Sequence, residues 1–296
     1  MLPHRWMRSA RHQQNREARP APSAARWRTA ARAGALGAAA SVVCMAAAPG
    51  AAHARAPKRL PRAQQVLDYL ASHPMAAASQ AMQYDAAPTT PLPACAAGLG
   101  PDDVLPPPPA TKRDSAARQQ YARVIAGVLY VAVGGLDQAH NLVTPLCWSS
   151  WTPYGGAPIP GSPAERDASY VHALIHRQEG SHDGEFGSGW SNANYWYASS
   201  GAALHPIAPR LAAAARELAK GNPELERHAA AAFGGGGGSG GGGAAWDPPR
   251  FVALCERAAG GGDAALAAWC GRVMGREAEL LVDHCYAAAA AAAAGG

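Results

Sequence analysis

His172, His176 and Glu179 stand at i, i+4 and i+7 of one continuous run and are the residues of this chain best spaced to act together. At about 100° per residue they share a stripe about 60° wide on one helix face. Two imidazoles one turn apart can ligate a single divalent cation at about 2.0–2.1 Å, and an imidazole beside a carboxylate can move protons. The zincin pattern H-E-x-x-H is excluded, because Ala173 stands where its glutamate would be. A metal reading therefore takes His172 and His176 with His140 and His284 as further ligands, while Glu179 and His205 are alternatives and Glu185 is a candidate base. An acid–base reading takes His172, His176, Glu179 and Asn194 as the reacting and orienting groups on a small polar substrate. The plain alternative is a noncatalytic module in which the same groups form a satisfied buried network.

These residues need a helix to carry them. Ser162 and Glu165 have the spacing of a capping box, Pro163 suits the first helical position, and Gly180 supplies a stop. The pattern predicts a helix over 162–180 whose inward edge carries the stripe and whose solvent side carries Arg166, Asp167, Tyr170 and Arg177. Asp137, Asn192, Tyr195, Trp196 and Asp283 are further polar or aromatic residues able to partner an inward stripe.

The periodicity elsewhere is also helical. Residues 61–83 read as two short helices broken at His73-Pro74, and 115–133 as a buried helix capped by Asp114 or Ser115. Asp137 and His140 fall on a last turn or a short new helix. A long loop, 144–161, carries Trp148, Trp151 and Tyr154 and is read either as a packed wall over the stripe or as an Ω-like structural loop plugging a gap between helices; in the noncatalytic module it contacts a partner or small ligand. Ser181–Gly189 reads as a surface turn, since its oxygens lack the alternation of a calcium loop. Ser191 or Asn192 would cap a short aromatic helix ending at Gly201. Further helices come after it: one closed by Gly221, one from Pro223 to Phe233, one starting at Asp247-Pro248, and one from Asp263 to Tyr286. The expected class is all-α: a single irregular domain over 61–287, with a Pro-rich connector at 86–113, a Gly-rich insertion at 234–243 and an Ala/Gly tail at 288–296.

As a set, His172-x-x-x-His176-Arg177-x-Glu179-Gly180, Asn194-x-Trp196, His205-Pro206, Trp246-Asp247-Pro248 and Asp283-His284-Cys285-Tyr286 resemble a family of hypothetical helical proteins. The likeness spans residues 115–287; it implies one helical domain and assigns no activity.

Charge is unevenly placed. Residues 1–60 hold 11 Lys and Arg against Glu17, whereas 61–296 hold 15 against 20 acids. The mildly acidic remainder lacks the basic footprint of a phosphate binder, so no nucleic-acid partner is expected. The basic, acid-poor first 60 residues resemble an organellar transit presequence, for chloroplast or mitochondrion, and no apolar run is long enough to cross a bilayer. The five cysteines beyond it are odd in number and contain no C-x-x-C, which argues for buried thiols rather than a disulfide framework. No phosphate-binding glycine motif and no G-x-S-x-G elbow occur.

Overall fold

In a computed structural model, residues 59–77, 81–84, 88–107, 115–148, 157–184, 187–234 and 246–294 are described. Contacts divide the chain at residue 54, and all the described residues belong to the unit 55–296. The presequence expectation, apart from Arg59 and Leu60, lies outside the described residues, as do Trp151, Tyr154, Glu185 and most of the Gly-rich insertion.

The fold is all-α. Among the described residues the helices are α1 (Pro61–Ser72), α2 (Ala116–Ala132), α3 (Leu136–Cys147), α4 (Glu165–Glu179), α5 (Gly189–Ser199), α6 (Ala208–Ala219), α7 (Pro223–Phe233), α8 (Pro248–Ala259) and α9 (Ala264–Ala294). Strand is confined, among the described residues, to a hairpin of two-residue strands, β1 (Asp183–Gly184) and β2 (Gly187–Ser188), which is the expected turn between α4 and α5. No helix among the described residues is long and apolar enough to cross a membrane.

Helix α4 sits at the centre, packed against α2, α3 and α5, while α9 runs along α2 and gathers α6, α7 and α8. Helix α2 is buried almost all round from Tyr121 to Ala132, as its dense apolar run requires, and Ser115 caps it by accepting the Arg118 N–H. Asn222 and Asp247 cap α7 and α8 in the same way, each followed by proline at the first helical position.

Several expectations are corrected. Helix α4 starts at Glu165 with Ala164 as its uncapped N-cap; Ser162 instead turns the chain, accepting the Ala164 N–H and donating to Gln120 Oε1. Its expected solvent side is not wet, because Asp167, Tyr170 and Arg177 are all buried. The reason lies in long-range partners: Arg177 pairs with Glu277 of α9 at 2.7 Å, and Tyr170 donates to the same carboxylate. Among the described residues of 61–83, only the first of the two expected short helices is present. The described part of the Pro-rich connector is packed rather than merely extended. Ala96, Leu99, Val104 and Leu105 enter the core, and Tyr130 and Tyr286 donate to the Leu99 and Val104 carbonyls. The Ala-rich tail continues α9 through Ala294 instead of ending the order at Tyr286.

Candidate functional site

Helix α4 carries two chemically distinct polar clusters. Asp167 and His176 are nine residues apart, about 180° around the helix, so the groups gathered about one are separated from those about the other by the helix itself.

The first cluster is the predicted stripe, and it does face inward: His172, His176 and Glu179 are each at most 3% exposed. Glu179 Oε2 lies 2.7 Å from His176 Nδ1, and its other oxygen accepts the Tyr84 hydroxyl at 3.0 Å. Asn192 Nδ2 reaches His176 Nε2 at 3.0 Å. With the amide donating, the His176 proton sits on Nδ1, directed at Glu179. Tyr84 delivers its hydroxyl from a backbone φ of 53°, a left-handed conformation that costs a non-glycine residue about 1–2 kcal/mol.

His172 stacks on His176 on one side, with ring centroids 4.9 Å apart, and on Trp196 on the other at 4.1 Å. The edge of the His140 ring meets it at 4.9 Å, and Trp148 closes over both His172 and Trp196. Of the aromatics expected to wall the stripe, Trp148 does cover His172, while Trp151 and Tyr154 lie outside the described residues. Burial, reinforced by the neighbouring imidazoles, keeps His172 far below the ordinary histidine range; burial and His176 lower His140 to about 3. Both rings are therefore neutral near pH 7. His172 Nδ1 faces Cys147 Sγ at 3.4 Å, yet its Nε2 is buried without a hydrogen-bond partner among the described residues.

The Cys147–His172 contact has the outline of a nucleophilic dyad, but its electrostatics oppose that role. Cys147 ends α3, where the helix carbonyls disfavour a thiolate, and burial pushes the thiol up while the imidazole is pushed down. The ion-paired form that such a nucleophile needs is disfavoured at both ends.

A close backbone approach builds this cluster. A Cβ on Gly189 would lie 2.4 Å from the His176 carbonyl oxygen and 2.7 Å from Gly180 N, so only glycine lets α5 begin against the end of α4. Gly180 ends α4 with φ 72°, and its carbonyl accepts the Trp190 N–H. Because α5 begins at Gly189, capped by Ser188 rather than by Ser191 or Asn192, Asn192 and Trp196 at i and i+4 share the face turned to α4. Asn194, expected at the site, is off that face; its Oδ1 is buried without a partner among the described residues.

The second cluster was not expected. Asp167 Oδ1 lies 2.9 Å from His205 Nε2 and 3.2 Å from His284 Nε2, so the structure takes His284 away from His140, His172 and His176, with which it was grouped as a metal ligand. Burial would raise the Asp167 carboxyl, but the hydrogen bonds from His205 and His284 outweigh it and hold it at about 2. Burial lowers His205, and its carboxylate partner only partly compensates. Arg166, next in sequence, is tied to the Ser200 and Gly201 carbonyls. His205 and His284 were legible as candidates; Asp167 was not, since its phase on the wheel placed it in solvent.

Beside these lies a purely structural group. Arg177 and Glu277 are fully buried; Tyr170 and Tyr197 donate to the carboxylate, and the guanidinium packs over the Phe251 and Tyr197 rings. Glu277 outweighs the burial that would lower the guanidinium and raises it further, so Arg177 stays charged. Helical phase alone places Arg177 at the surface, and its partner in α9 overrides that phase.

Comparison of the chain with protein-family models, with curated proteins and with solved structures gives no match in any of the three.

Proposed function

We propose that the protein is an acid–base enzyme acting on a small polar substrate at the cluster of His140, His172, His176 and Glu179. The observation that carries this reading is the His172 Nε2 atom, buried and without a partner among the described residues. A buried polar atom left unbonded costs about 1–3 kcal/mol, which an apolar side chain of similar shape would avoid. A polar group of a substrate, seated against the Trp148 and Trp196 walls, supplies the missing bond.

His176 is the proton carrier. Glu179 holds its Nδ1–H, so Nε2 presents the lone pair, and Asn192 Nδ2 marks where a substrate proton donor would lie. Neutral His140 and His172 bring no charge of their own to the cluster, which favours an uncharged polar substrate. His172 and His140 act here as binding groups, not as metal ligands.

A second reading, a noncatalytic helical module, draws on the same hydrogen bonds: both oxygens of Glu179 and both nitrogens of His176 have partners. The two readings separate in one experiment. The full chain and its His176→Gln variant are incubated with mixed small polar metabolites, and consumption is followed by mass spectrometry. The enzyme reading expects a species consumed by the wild type and spared by a variant of unchanged helical content. No consumption by the wild type supports the module.

A further inference from the structure

Asp167, His205 and His284 come from three separate parts of the chain: the first turn of α4, the residue after the short 3-10 segment Ala202–Leu204, and the last third of α9. Their ligand atoms nonetheless lie within 4.8 Å of one another, with both imidazole Nε2 atoms aimed at one carboxylate oxygen at 2.9 and 3.2 Å. Ligands placed tetrahedrally at about 2.0–2.1 Å from an ion are about 3.3 Å apart, so the two carboxylate–imidazole distances already stand close to the spacing an ion would impose. We infer that Asp167, His205 and His284 form a binding site for a divalent transition-metal cation, independent of the His172 cluster on the opposite face of α4.

The donor set agrees with the geometry. Two imidazole nitrogens and one carboxylate oxygen are the ligands of catalytic zinc and of two-histidine-one-carboxylate iron centres, and three protein ligands leave coordination positions open. Asp167 and His205 are buried and held from two elements, while the His284 side chain is 27% exposed. The site therefore has one wet side, through which a hydrated cation enters and at which water stays bound. Among the described residues no other group of three His, Cys, Asp or Glu side chains converges in this way.

Starting from neutral rings, the protons balance without net release: each Nε2–H now points at Asp167, and when the cation takes the Nε2 lone pair, that ring's proton sits on Nδ1 instead. For His205 this gives up the Ile207 N–H contact on Nδ1, which at 3.4 Å is already at the outer limit of a hydrogen bond. Asp167 exchanges two N–H donors for the cation and stays anionic throughout.

The test is titration of the full-length chain with zinc by calorimetry and with cobalt(II) by visible absorption. One ion per chain and the intense d–d bands of a low-symmetry cobalt site are expected. His284→Gln, at the exposed ligand, should weaken binding by at least the roughly 10- to 100-fold that loss of an outer-shell partner costs. His284→Cys should restore it and add a sulfur-to-cobalt charge-transfer band, which a triad held only by hydrogen bonds cannot give. His176→Gln should leave binding untouched, so this test stands apart from that of the acid–base site. Absence of stoichiometric uptake by the wild type, equal binding by His284→Gln, or loss on His176→Gln would overturn the assignment.

Discussion

Asp167 and His176 occupy opposite faces of α4, and each meets imidazole: Asp167 through His205 and His284, His176 through its stacking on His172. One helix thus divides these histidines into a closed cluster in which His140 and His172 are neutral and a second one with a wet edge, gathered on Asp167. Mutations on the two faces should accordingly have separable effects.

Glu277→Gln should be among the most damaging single changes. It leaves the Arg177 guanidinium, fully buried and 2.7 Å from the carboxylate, as an uncompensated charge. Breaking one side of such a pair costs about 3–5 kcal/mol. Urea unfolding measures it, and a loss below about 1 kcal/mol would mean that water reaches Arg177.

Gly189→Ala tests the join between α4 and α5. The added methyl meets backbone atoms of His176 and Gly180, which cannot move aside as a side-chain tip would. Overpacking of this kind costs about 1–3 kcal/mol, and relief by retreat of α5 would also carry Asn192 away from His176. A lower melting temperature together with a shifted His176 ring resonance is expected. Unchanged stability would show that the two helices do not meet so closely.

Tyr84→Phe isolates a single hydroxyl. The ring that meets the edge of His140 is kept, while the donor to Glu179 Oε1 is lost. A cost of about 1 kcal/mol is expected. The Nδ1–H proton resonance of His176 should move as well, because Glu179 then has only His176 to serve. A resonance that stays put would separate Tyr84 from the relay.

What the sequence made legible was local. The stripe of His172, His176 and Glu179, the stop at Gly180, and the caps at Ser115 and Asp247 each depend on residues within a few positions, and each forms. The buried side of α4 that carries Asp167, Tyr170 and Arg177 was not legible. A charged residue on a helix wheel reads as wet unless its partner is visible, and Glu277 and His284 lie 100 or more positions away in another helix. Asn192 and Asn194 exchanged places for a related reason: the close approach at Gly189 sets where α5 begins, and so decides which asparagine faces His176.

Stability should also depend on pH in a defined direction. His140 and His172 are held below the ordinary histidine value of 6.5, His140 at about 3, so the native state refuses protons that the unfolded chain accepts. Between those values the unfolded state binds more protons, and stability must therefore rise with pH. The contribution of these two imidazoles is complete above about pH 6.5 and is lost as pH falls toward 4, with His140 alone accounting for up to about 5 kcal/mol by the time its folded value is reached. His205, also lowered, adds in the same direction. Asp167 acts later. Its depressed carboxyl stabilises the fold above about 3.8, and that contribution is lost as pH falls toward 2. Unfolding free energies of the wild type and of His140→Gln, measured by denaturant across about pH 4–7, should diverge, with the variant showing the shallower slope. Parallel slopes would place His140 in contact with water and take away the buried, uncharged imidazoles on which the acid–base reading depends.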